Sequence, residues 1–248
     1  MILSGILHPS LGGFTVIRGV APLGDLARCS EFNAEYQRNL IETHRAEIER
    51  FLADGQYLFF PEVILSASLQ FDFNAYKGKQ PIAPIADILS GKGFTSNVNG
   101  LSVKVVTSRL PKSLEVVGSG NAPQLAYLEL PENGLSDGFT LSESRLSSSV
   151  KLFRIDGNHR LSAVEGAKPG DATYNLPTPF CIVLHDDPAL AQRFEKVVFH
   201  NINAKQIPLT SEENLRLILE EGDGSLFDDK ALLESPSFGP AYYLARKV

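Results

Sequence analysis

The densest group of chemically competent side chains is Arg154-Ile155-Asp156-Gly157-Asn158-His159-Arg160. A glycine in such a run can take positive φ and let a ligand approach the backbone. A helix starting after it would offer N–H groups and the positive end of its dipole to an anion. Arg160, with His159 beside it, adds charged donors, and the guanidinium fork matches phosphate oxygens. The pattern points to phosphate binding at Gly157, Asn158, His159 and Arg160, with Asp156 and His159 as the groups suited to proton transfer. The plainer alternative is a turn in which Asp156 caps the helix and Arg160 is solvated. One glycine and no Lys-Ser/Thr exclude a P-loop.

A second polar group, His200-Asn201-Ile202-Asn203-Ala204-Lys205-Gln206, lies where one helix should end and another begin. Asparagine at a helix end is commonly a cap. Two Asn, a His and a Lys exceed what a cap needs. Asparagine oxygens suit Mg²⁺ on a phosphate substrate, and Lys205 supplies a further cation for the phosphates. His185-Asp186-Asp187 has metal-ligand residue types, but Asp187 is accounted for as a helix cap. Cys181 alternates within an apolar strand and reads as an inert core residue. No H-E-x-x-H or G-x-S-x-G motif appears.

Holding these groups takes a strand, a turn and a helix. Residues 151–156 alternate as a strand, Gly157 punctuates, and 158–166 can be helical. Residues 179–184 read as a second buried strand. Asp187-Pro188 starts a helix with Leu190, Phe194, Val197 and Val198 on one face. Thr210-Ser211-Glu212-Glu213 is a capping box before another helix. Upstream, 14–20 form a candidate strand, and Leu40, Ile41, His44, Ile48, Phe51 and Leu52 give helical spacing over 35–53. Residues 57–69 then read as a buried strand. The stretch 71–149 is rich in Gly, Ser, Asn and Pro with short alternating runs at 101–106, 114–117 and 124–130, which predicts hairpins or a β-rich insertion. A separate domain there is the alternative. The order of elements predicts an α/β or α+β class.

The chain has 248 residues, enough for one domain or two small ones; we expect a single domain over 1–248. Net charge is −6, and residues 211–234 carry all of it, leaving the remainder neutral. That excludes a generally basic nucleic-acid binder. It permits a local DNA-binding groove along the early helix, where Arg38, Arg45 and Arg50 could line one side. Two distant cysteines exclude a disulfide framework and fit a reducing cytoplasm. No signal peptide and no apolar run of membrane-spanning length is present, so the expectation is a cytoplasmic protein without a membrane partner.

Residues 153–163 resemble the D-G-Q-H-R motif of the DGQHR/DndB-like family, within the wider ParB/sulfiredoxin-like superfamily. The resemblance covers about residues 35–220, with 71–149 poorly matched. It implies an α+β, ParB/sulfiredoxin-like mixed sheet with helices, carrying a β-rich insertion at about 71–149. It also implies that Gly157, His159 and Arg160 cradle nucleotide phosphates and that Asn201 helps hold the nucleotide's metal. His200 stands where ParB proteins carry Glu, and Asn158 stands where sulfiredoxin carries its catalytic Cys. The implied function is NTP binding, with ATP or CTP and Mg²⁺ as cofactors and hydrolysis left open, in a bacterial DNA-modification or phage-defence system. DNA and protein partners of such an operon follow from the same resemblance. The alternatives are a DNA-binding transcriptional regulator without catalysis and a Mg²⁺-dependent nuclease using Asp156 and His159.

Overall fold

Alternating apolar side chains assemble much of this protein into one twisted sheet. A computed structural model describes residues 1–9, 13–33, 42–54, 61–69, 84–96, 98, 100–106, 123–131, 152–186 and 188–204. The chain divides into two compact units, Met1–Ile202 and Asn203–Val248, and the described elements belong to the first, save Asn203 and Ala204 at the end of its final helix. Their order is β1 (Ile2–Pro9), β2 (Thr15–Pro22), α1 (Leu23–Arg28), β3 (Ser30–Glu31), α2 (Glu42–Asp54), β4 (Val63–Ser68) and α3 (Pro84–Leu89). There follow β5 (Phe94–Thr95), β6 (Ser102–Val106), β7 (Gln124–Glu129), β8 (Leu152–Asp156), α4 (Asn158–Ala163), β9 (Pro177–His185) and α5 (Pro188–Ala204). The nine strands form one sheet in the order β3-β8-β4-β9-β2-β1-β7-β6-β5. β3 runs parallel to β8 and β4 parallel to β9, and the other neighbours are antiparallel. The class is α+β with a mixed sheet.

The strands expected at 14–20, 57–69, 151–156 and 179–184 appear as β2, β4, β8 and β9, with shifted ends. Within 71–149, β6 and β7 pair with each other and β7 pairs with β1, so these strands extend the main sheet. Helix α3 was not foreseen there. Its six residues are too few to show a helical period, and its Ile85 N–H is held by the Asp186 carboxylate at 3.0 Å. The run at 114–117 and the helix after the capping box at 210–213 lie outside the described residues, as does Asp187.

The two faces of the sheet are covered differently. One carries the main core, where Val63, Leu65, Ile182 and Leu184 meet Leu23 and Leu26 of α1, Leu52 of α2, Ile88 of α3 and Leu161 of α4. Val16, Cys181 and Val183 point the other way and pack against Phe194 of α5. The face of α5 differs from expectation. Ala191, Phe194 and Glu195 are inward-facing, whereas Val197 is 51% exposed. At about 100° per residue Val197 lies further round the helix than Phe194, and the acidic Glu195 takes the buried position instead. Phe14, His185 and Phe194 cluster at this face, with His185–Phe194 ring centroids 4.8 Å apart.

A buried arginine ties the helices to the sheet. Arg154 shares the inward parity of Leu152 on β8 and is 1% exposed. Its Nε donates to Ser30 Oγ at 3.0 Å, and its Nη2 donates to the carbonyls of Ala27 and Ser30, each at 3.0 Å. Its Nη1 faces Glu165 Oε1 at 2.8 Å, Ser162 Oγ at 3.0 Å and Asn158 Oδ1 at 3.2 Å. The guanidinium therefore donates to the Ala27 carbonyl near the C-terminal end of α1 and to the Ser30 carbonyl of β3, while bracing α4 and the turn after it. Burial pulls its pKa down, and Glu165 opposes that as the counter-charge. The other end of α1 is held by the chain before β9. The N–H groups of Leu23 and Gly24 donate to the carbonyls of Leu176 and Tyr174 at 2.9 and 3.0 Å, and the Tyr174 hydroxyl donates to Asp25 Oδ1 at 2.6 Å. A side chain on Gly24 would run into the Tyr174 ring, so only glycine allows this approach.

Two outcomes are expected. Arg154→Met strands the Ala27 and Ser30 carbonyls and the Ser30 and Ser162 hydroxyls and removes the partner of the partly buried Glu165 carboxylate, and lowers stability by about 3–5 kcal/mol. Arg154→Lys restores only part, because an ammonium cannot fork to both sides. Urea midpoints at constant slope measure both. The pH dependence follows from His185, whose imidazole burial pushes down to about 4 from 6.5. A depressed pKa contributes stability that is complete above the unfolded value and is lost as pH falls toward the folded one. Stability should therefore decline from pH 6.5 toward 4, and His185→Phe should flatten the decline. Burial raises the neighbouring Asp186 carboxyl, which acts in the opposite sense near the acid end of that window.

Candidate functional site

The strand–turn–helix at β8–α4 forms because Gly157 takes φ +86°, a left-handed conformation that L side chains resist. An added Cβ there would lie 3.0 Å from Val63 Cγ2 and 3.2 Å from Arg160 Nη2. Glycine is therefore required by the backbone and by its neighbours. The cap of α4 is Gly157 itself, with no side-chain cap bond, so the expectation that Asp156 caps the helix is corrected. Asp156 pairs with Ile64 across a bulge in the β4–β8 register, which turns it out of regular alternation at the strand end.

The two arginines of the motif have opposite environments. Arg154 points into the core. Arg160 lies over Gly157, donating from Nη1 to the carbonyl of Pro61 at 2.7 Å, with Nη2 3.7 Å from Asp156 Oδ2. It is not the solvated side chain of the plainer sequence reading, because its side chain is only 13% exposed. Burial lowers its pKa and the Asp156 carboxylate raises it, so the cation is held in a partly dry position beside Asp156. Asn158 turns its Oδ1 inward to Arg154, and Ser162 Oγ stands 3.4 Å away. The side-chain oxygen of Asn158 is thus engaged in the scaffold. His159 is half-buried in the first turn of α4.

The structure brings Asp156, Gly157, Asn158, His159 and Arg160 together at one corner. Asn201 is half-buried in the last turn of α5, the helix on the opposite face of the sheet from α4. Arg45 of α2 is engaged with Glu49 one turn on, at 2.9 Å, which offsets its charge for a DNA backbone. Lys205 and Arg38 lie outside the described residues. Among the described residues no group of three or more His, Cys, Asp or Glu side chains is placed to hold a metal ion. Cys29 and Cys181 are both buried, and burial pushes the Cys29 thiol up to about 12, which suits packing and not nucleophilic chemistry.

Sequence reasoning missed the part played by Arg154 and the participation of Pro61. The first left a signal: a charged residue at an inward position of an alternating strand needs a counter-charge and hydrogen bonds. The second left none, because a backbone carbonyl has no sequence signature. No protein-family model, no curated protein and no solved structure matches this chain.

Gly157→Ala should cost about 1–2 kcal/mol from the left-handed backbone alone. It should also displace Arg160, read as a crystallographic shift of the guanidinium away from Pro61. An alanine variant with unchanged stability would show that the turn adopts another conformation.

Proposed function

We propose that the β8–α4 corner binds the phosphates of a nucleoside triphosphate and that Arg160 is the group that recognises them. One observation carries the reading. A mostly buried guanidinium lies against a left-handed glycine at the start of a helix, ion-paired at 3.7 Å with the Asp156 carboxylate. A partly desolvated cation attracts an anion more strongly than a hydrated one. Its fork matches two phosphate oxygens. Helix α4 has six residues, so the guanidinium and not a helix dipole is the main attraction. Gly157 and the backbone of Asn158 and His159 shape the approach, and Arg154 fixes their orientation through Asn158.

The nucleotide would arrive with Mg²⁺, and Asp156 is the oxygen ligand nearest the corner. Asp156 and His159 are the side chains suited to orient water or take a proton if the bound triphosphate is hydrolysed. The resemblance of residues 153–163 to the DGQHR motif supports the same reading. On that basis the ligand is ATP or CTP, and the setting is a DNA-modification or defence system with DNA and operon-encoded proteins as partners. No helix among the described residues is long and apolar enough to cross a membrane.

Thermal unfolding with ATP, CTP, GTP and UTP, with and without Mg²⁺, tests this on the wild type and Arg160→Gln. A ligand at about a hundred times its Kd adds about 2.7 kcal/mol of stability. One triphosphate is expected to raise Tm in the wild type and not in the folded variant. No rise with any of the four, or a rise that Arg160→Gln retains, rejects the site.

A further inference from the structure

The face of the sheet under α5 holds three polar atoms that the fold buries and does not satisfy. Ser66 Oγ and Ser68 Oγ on β4, and His185 Nε2 on β9, have no hydrogen-bond partner among the described residues. Pairing brings them together: in the parallel β4–β9 register Ser68 is opposite His185, and Ser66 is opposite Val183. Alternation puts all four side chains on one face, the one that Val183 and Phe194 cover. Ser66 is 1% exposed and His185 5%. Leaving a buried donor or acceptor unmade costs about 1–3 kcal/mol, and native structures leave few. Here three lie on two neighbouring strands.

The chemistry of the three atoms narrows what that molecule is. Two hydroxyls and an uncharged imidazole are neutral groups that donate or accept, so they suit a neutral polar ligand and give an anion no counter-charge. Adjacent strands stand about 4.8 Å apart, and alternate residues on one strand about 6.7 Å apart. That spacing sets the three polar atoms side by side on two central strands of the sheet. Aromatic surface lies beside it: Phe14 and Phe194 have ring centroids 4.3 Å apart, Phe14 lies 6.1 Å from His185, and Phe14 is 38% exposed at the rim. A flat heterocycle can hydrogen-bond by its edge and stack by its face.

We propose that Ser66, Ser68 and His185 form a second binding site, for a neutral nitrogen heterocycle of the nucleobase class, with Phe14 covering its face. The site lies on the opposite face of the sheet from α4 and does not rest on the phosphate reading. Its test therefore uses ligands without phosphate. The full chain, labelled with ¹⁵N-histidine, is titrated with adenosine, guanosine, cytidine and uridine, and separately with inorganic phosphate. The His185 Nε2 resonance is identified by its loss in His185→Gln. One nucleoside is expected to move that resonance saturably, and phosphate is expected to leave it in place. The Ser66→Ala/Ser68→Ala double variant removes two hydroxyls and adds no bulk. It should weaken the Kd at least tenfold, the equivalent of about 1.4 kcal/mol. If no nucleoside moves the resonance, water fills the site and the proposal fails. It fails equally if the double variant binds as the wild type does. Should the double variant not fold, the wild-type titration alone still decides.

Discussion

A single buried guanidinium sets the conditions under which this fold can exist. Arg154 cannot lose its charge at any physiological pH, so the core must supply acceptors around it. It does so from four directions: the end of α1, the serine of β3, the first turn of α4 and the carboxylate of Glu165. These elements are distant in the chain. Such a hub adds directional constraint to a core whose apolar contacts are non-directional. It specifies which helix end meets which strand, where a leucine would specify only that something apolar is near.

That constraint reaches the candidate site through one residue. Asn158 is the first residue of α4 and a partner of Arg154, so the orientation of the helix start depends on the core and not on solvent. Gly157 absorbs the change of direction between strand and helix. Arg160, two residues after Asn158, is then carried to the side where Pro61 and Asp156 meet it. The two arginines of one short motif divide the work. One is surrounded and structural, and the other is partly dry, beside Asp156, at a corner of the sheet.

The sheet also explains why two different surfaces deserve chemical attention. Its central strands, β4 and β9, are covered on both faces, yet the coverings differ. Apolar contacts from four helices fill one face. Helix α5 meets the other with an acidic residue among its inward positions and with serines and a histidine opposite. Burying polar groups without partners works against stability, so their presence in the middle of an otherwise apolar sheet calls for a compensating interaction.

Much of the local structure was legible in the chain itself. Alternation marked β2, β4, β8 and β9, the helical spacing of Ile48 and Leu52 marked α2, and the glycine at 157 marked the turn that gathers the site. These features depend on period, turn chemistry and backbone sterics, which act between near neighbours. The sequence also singled out residues 154–160 but gave a role to Arg160 and none to Arg154. Whether a guanidinium is architectural or exposed depends on which strand face it occupies and which carbonyls converge on it. That is decided by contacts such as Arg154 with Ala27 and Arg160 with Pro61, each joining residues about a hundred positions or more apart. The pairing of Ser68 with His185 is of the same kind. Local order was determined by the sequence because its causes are local. The environment of each polar group was decided by tertiary structure, because burial and hydrogen-bond partners exist only once distant strands have met.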